Sequence, residues 1–121
     1  MIKFKSLNRN KDFIKILKKK KLSTKYFTIY FNKDLTNYNK YLNISFVMRK
    51  NIGNAVVRNR IKRKLKHAVQ IISKESKLID LNYTYVIFGR NNVYKDKFAN
   101  VLSEVNNSFK KIKQMGSRIW K

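Results

Sequence analysis

The stretch Gly53-Asn54-Ala55-Val56-Val57-Arg58-Asn59-Arg60-Ile61-Lys62-Arg63-Lys64-Leu65-Lys66 constrains this chain more than any other. At about 100° per residue, Val57, Ile61, Leu65, Ala68 and Ile72 fall on one side of a helix. Asn59, Lys62, Arg63 and Lys66 fall on the other, flanked by Arg58, Arg60 and His67. The apolar stripe needs a core to bury it, and the cationic face has to look outward, because unpaired charges are not buried. Such a helix is one wall of a folded domain with a rigid array of donors on its outside. That arrangement suits a polyanion.

Charge supports the same reading. Lys and Arg number 30 against 6 Asp and Glu, a formal net charge of +24. A domain this cationic repels itself, and a partner with many negative charges offsets the cost through counterion release. Apolar residues make up 43% of the 121, so the chain is no disordered basic tail and residues 1–121 are expected to form one domain. Lys, Asn and Ile usage also follows from AT-rich coding, which leaves the clustering of charge as the stronger argument. Cysteine is absent, which excludes thiolate catalysis and cysteine-ligated metals. No run approaches the about 18 apolar residues of a membrane span, and Met1-Ile2-Lys3-Phe4-Lys5 leads into no apolar signal core. A soluble cytoplasmic protein without membrane contact is expected.

Along the chain, 8–20 reads as a short helix with Asn10 as cap and Phe13, Ile16 and Leu17 on one face, running out into Lys18-Lys19-Lys20-Lys21. Residues 26–32 read as a strand, with Phe27, Ile29 and Phe31 facing one way and Tyr26, Thr28 and Tyr30 the other. A second strand at 41–48 aligns Leu42, Ile44, Phe46 and Met48, and a polar loop from Arg49 to Asn54 leads into the basic helix, which runs to about 74. A third strand covers 83–89. After the turn at Asn91-Asn92, a closing helix carries Phe98, Val101, Leu102, Val105, Phe109 and Ile112 in a stripe, and 114–121 reads as an irregular tail with Trp120. This order predicts an α/β (α+β) two-layer sandwich, a small mixed sheet covered by helices. The unit 41–48, 55–74, 83–89 would cross over right-handed by default.

Little in the sequence could catalyse a reaction. Asp12, Asp34, Glu75, Asp80, Asp96 and Glu104 form no pair at helical or strand spacing, and His67 has no acidic neighbour, so no catalytic residue and no metal ligand set is expected. Binding residues are easier to name. Arg58, Arg60 and Arg63 are arginines in a lysine-dominated chain, and the guanidinium fork binds phosphate bidentately and stacks on bases. Asn59 adds a donor and acceptor for a base edge or a ribose hydroxyl. Tyr26, Tyr30, Tyr83 and Tyr85, at alternating positions of two strands, are either ordinary sheet packing under a helix or a stacking platform for single-stranded bases. Lys18–Lys21 is either a solvated loop or a phosphate contact.

Arg58-Asn59-Arg60-x-Lys62-Arg63, preceded by Lys50-x-x-Gly53-x-Ala55-Val56, resembles the signature of the protein component of bacterial ribonuclease P. The opening helix with Asp12-Phe13, the aromatic strand with Phe27 and Tyr30, the strand Tyr83–Phe88 and a closing helix follow in family order. The resemblance implies a fold like the second domain of ribosomal protein S5, with a left-handed βαβ crossover in place of the right-handed default. It implies a protein subunit that joins a catalytic RNA one to one, without an obligatory protein partner, and helps remove the 5′ leader of precursor tRNA. Mg2+ held mainly by the RNA would activate the water. By position, Arg58, Asn59, Arg60, Lys62, Arg63, Lys66 and Lys50 match residues that contact the RNA subunit, and Phe13, Leu17, Phe27 and Tyr30 match the leader cleft. Asn51 stands where a second lysine is common, and Leu17 where an aromatic is frequent. A ribosomal protein of the same fold is the alternative; it requires neither the Arg-Asn-Arg core nor an aromatic cleft. A protein-only nuclease would need clustered acids for two metals, and a DNA-binding architectural protein has only the charge in its favour.

Overall fold

A computed structural model of the protein describes residues 3–5, 15–33, 41–75, 79 and 83–119. Five strands form one mixed sheet in the order β1-β4-β5-β3-β2. They are β1 (Lys3–Lys5), β2 (Lys20–Ser23), β3 (Phe27–Lys33), β4 (Tyr41–Val47) and β5 (Tyr83–Gly89). The helices are α1 (Ala55–Glu75), the single turn α2 (Asn92–Lys95) and α3 (Phe98–Ile119). β4 and β5 pair in parallel, with Ile44 opposite Tyr85 and Phe46 opposite Ile87. A parallel pair cannot be closed by a tight turn, and α1 supplies the crossover.

One face of the sheet is packed under α1 and α3. Phe27, Ile29, Phe31, Leu42, Ile44, Tyr85 and Ile87 from the strands meet Ile61, Leu65, Ala68, Val69 and Ile72 of α1 and Val101, Val105, Phe109 and Ile112 of α3. The alternation expected for β3 and β4 and the stripes expected for both long helices are all found in this core. Tyr85 meets Phe109 edge-on at 5.0 Å between ring centres. Gly89 ends β5 in close contact with α1: a Cβ there would lie 2.7 Å from the Met48 sulfur and 2.9 Å from Cγ2 of Ile61. The opposite face carries Thr28, Tyr30, Val86 and Phe88. Val86 on that face is buried, and so is Ile16 in the turn before β2, yet both lie outside the main core.

Two expectations need correcting and one alternative is decided. The lysine run does not simply trail off a helix: a helical turn at 15–17 gives way to β2, which pairs antiparallel with β3. Thr24 closes that hairpin, its Oγ1 accepting from the N–H groups of Tyr26 at 3.2 Å and Phe27 at 3.1 Å. The tail expected to be irregular over 114–121 is helical through Ile119, because Met115 continues the α3 stripe onto the core. For Tyr26, Tyr83 and Tyr85 the packing reading holds, and they form no platform. Tyr85 is 1% and Tyr26 5% exposed, and Tyr83 stacks on Tyr85 against the core. Residues 83, 85, 87 and 89 of β5 share the helix-covered face, which leaves Tyr30 on the other side.

Candidate nucleic-acid interface

The loop before α1 sets up the cationic face. Ile52 is buried and anchors the loop, and its N–H bonds back to the Arg49 carbonyl at 3.0 Å. Gly53 then takes φ +59°, a left-handed conformation that a side chain would strain. Asn54 caps the helix: its Oδ1 accepts from the Val57 N–H at 3.0 Å, and its carbonyl from the Arg58 N–H at 3.0 Å. The glycine loop of the signature thus has a physical task, which is to turn the chain and start α1 at a defined residue.

From that start, Asn59, Arg60, Lys62, Arg63, Lys66 and His67 are exposed, Arg58 is half-buried, and Lys50 is exposed in the loop. No acid occupies the first turn of α1, where the helix dipole would favour one. The first charged side chains are Arg58 and Arg60 instead, an order that a bound anion would stabilise. Nε of Arg58 is buried and has no hydrogen-bond partner among the described residues. His67 stacks on Phe98 at 5.0 Å, over the α1–α3 seam. Lys64 is turned inward: its ammonium donates to the carbonyls of Val93 at 2.9 Å and Asp96 at 2.8 Å, holding the C-terminal end of α2.

Beside this loop, on the outer face of the sheet, lies a cleft of about 340 Å³ lined by Thr28, Tyr30, Arg49, Asn51, Ile52, Phe88, Gly89, Arg90 and Asn91. Tyr30 and Phe88 meet edge to face at 5.6 Å. The Arg49 guanidinium sits 5.7 Å over the Phe88 ring, and Nη2 of Arg90 donates to Thr28 Oγ1 at 2.9 Å. Aromatic surface flanked by two guanidiniums can hold a base and its phosphate together. Behind the rim, the Tyr26 hydroxyl donates to the Asp96 carboxylate at 2.6 Å, and Lys25 lies 3.4 Å from the same oxygen. That hydrogen bond, then burial, pushes the Tyr26 hydroxyl up to about 12. The same bond holds Asp96 below the ordinary carboxylate range against its own desolvation, with Lys25 and Lys64 adding to the effect.

The signature residues therefore come together on one exposed face, while the expected leader residues divide. Tyr30 lines the cleft. Phe27 is 1% exposed beneath the helices and has no free ring face, so it drops out of the leader set. Leu17 is half-buried in the helical turn at 15–17, and Phe13 lies outside the described residues. Sequence reasoning missed Arg49, Phe88 and Arg90. The signal for Phe88 was its even position in β5, out of phase with Tyr83 and Tyr85.

A protein-family model described as Ribonuclease P matches residues 1–113. The chain belongs to the ribonuclease P protein family. It is 34% identical over 108 residues to the ribonuclease P protein component of Rickettsia felis, covering 84% of this chain and 91% of that one. With the Alkaliphilus oremlandii component it shares 26% over 114 residues, 93% and 95% of the two chains. Among solved structures, the Thermotoga maritima RNase P protein superposes with a TM-score of 0.71 at 22% identity, over 88% of this chain and 96% of that one. A Staphylococcus aureus RNase P protein mutant gives 0.73 at 19%, over 89% and 87%. These likenesses establish the mixed α+β fold, and family membership makes the chain a component of an endoribonuclease complex. None of the helices among the described residues is long and apolar enough to cross a membrane.

Proposed function

We propose that this chain binds the catalytic RNA of ribonuclease P through the outer face of α1 and holds the 5′ leader of precursor tRNA in the cleft beside it. The observation that carries the reading is that the Arg-Asn-Arg face and the aromatic cleft are set by one loop, Arg49 to Asn54, so RNA on one is delivered to the other. Arg58, Arg60, Lys62, Arg63, Lys66 and Lys50 neutralise phosphates of the RNA subunit, and Asn59 reads a base edge or a ribose. Tyr30 and Phe88 present ring surface to leader bases, with Leu17 as an apolar contact. Arg49 and Arg90 bind the adjoining phosphates.

The protein's part is to bind and orient. Among the described residues no group of three or more His, Cys, Asp or Glu comes together. Mg2+ belongs to the RNA in this reading, and when bound there it supplies the activated water. One copy of the protein per RNA, acting in the cytoplasm, completes the proposal.

The test is cleavage of a 5′-labelled precursor tRNA by a bacterial ribonuclease P RNA at low Mg2+, with and without this protein. Cleavage that needs both supports the assignment. Cleavage by the protein alone overturns the division of labour, and tight RNA binding without stimulation favours a ribosomal role.

A further inference from the structure

We infer that Lys21 is a phosphate-binding residue that continues the leader track past Tyr30 and over the edge of the sheet; the inference rests on the leader reading of the cleft. In the antiparallel β2–β3 pair, Lys21 lies opposite Tyr30 and Ser23 opposite Thr28. Directly opposed residues share a face of the sheet, with Cβ atoms about 4.5–5.5 Å apart. The Ser23 and Thr28 hydroxyls, 3.3 Å apart, show that the face shared here is the one bearing the cleft. Lys20 and Leu22 point the other way: Lys20 is opposite Phe31 and Leu22 opposite Ile29, both core residues.

Lys21 is exposed, and its ammonium has no hydrogen-bond or ion-pair partner among the described residues. β2 is the last strand on its side of the sheet. Read across the strands, the outer face runs from Arg49 beyond the end of β4, over Phe88 on β5 and Tyr30 on β3, to Lys21 on β2. Cations stand at both ends with aromatic rings between them. This is the order that a single strand needs when its bases stack and its phosphates are neutralised on either side. Lysines on an edge strand also discourage pairing with other chains. That task would fall equally to Lys20 and Lys21, so the two neighbours separate the explanations.

The experiment uses the full chain reconstituted with a bacterial ribonuclease P RNA and fluorescent precursor tRNAs. One has a leader of about ten nucleotides, within the range of single-strand site sizes, and the other a leader of about two. Lys21→Ala should weaken the long-leader precursor about 3- to 10-fold and flatten its logarithmic salt slope by about 0.7, with the short-leader precursor unchanged. Lys20→Ala, an equal loss of charge one residue away, should change neither. Equal effects of the two substitutions, or none from Lys21→Ala while Tyr30→Ala still weakens the long leader, would end the track at Tyr30 and leave the cleft reading standing. Wild-type protein that holds both leaders equally, with Tyr30→Ala also silent, would remove the cleft reading and this inference with it.

Discussion

On the helix-covered face of the sheet, Phe27, Ile29, Phe31, Tyr85 and Ile87 are at most 3% exposed. On the other face Thr28, Tyr30 and Phe88, drawn from the same two strands, are half-buried and border a cleft with Arg49 and Arg90. The residue types hardly differ, since both faces are rich in aromatics. What differs is their setting: apolar helix stripes over the first group, and Arg49 and Arg90 beside the second. An aromatic ring under a helix holds the fold together, and a ring beside an arginine lines a cleft. Position in the alternation, rather than hydrophobicity, separates structure from function here.

The sharpest way to break this comparison is to truncate one ring on each face. Phe27→Ala should lower stability by about 3–5 kcal/mol in urea denaturation, through the cavity it leaves. Tyr30→Ala should leave stability within about 1 kcal/mol and instead weaken precursor tRNA relative to mature tRNA by about 1–3 kcal/mol. Similar stability losses for both would mean that the faces are not distinct. Gly89→Ala comes next, at about 1–3 kcal/mol of destabilisation, because its new methyl meets Ile61 and Met48 on the covered face. A neutral result in the same denaturation assay would show that α1 can retreat from the sheet.

On the charged surfaces the effects should appear in salt dependence rather than in folding. Replacing Arg58 and Arg60 together by alanine should reduce the slope of log affinity for the RNA subunit against log salt, by about 0.9 for each duplex phosphate that is no longer neutralised. An unchanged slope would mean that those arginines are merely solvated. The smallest effect is expected at Asp96. Its carboxyl is held below the ordinary range in the folded protein, so its contribution is present above the unfolded-state value and lost as the pH falls through the folded one. Denaturation measured down a pH series should therefore show a decline in acid that Asp96→Asn lessens. Equal declines would assign the acid sensitivity elsewhere.

Much of the fold was legible because its signals are local. The period-two pattern of Phe27, Ile29 and Phe31 and the helical stripe Ile61, Leu65, Ala68 and Ile72 each mark a buried face without reference to the rest of the chain. The signature helix was legible for the same reason, as one periodicity separates its apolar side from Arg60, Lys62, Arg63 and Lys66. β2 was not. Its Lys-Lys-Leu-Ser sequence has little preference for a strand, and only pairing with β3 makes it one. Lys64 lies within the basic stretch, yet the carbonyls of Val93 and Asp96 draw it inward.

The sequence by itself determined which residues need burial, which segment is cationic, and which family motif it carries, because periodicity, charge and spacing are properties of the chain. The tertiary structure alone decided which rings border the cleft. Both faces of β5 carry large side chains, and only its pairing with β3 sets Phe88 opposite Thr28 and beside Tyr30, sending Tyr85 into the core. The loop from Arg49 to Asn54 then brings that pair next to the α1 cations. Such a juxtaposition is formed across strands distant in sequence, and no local pattern encodes it.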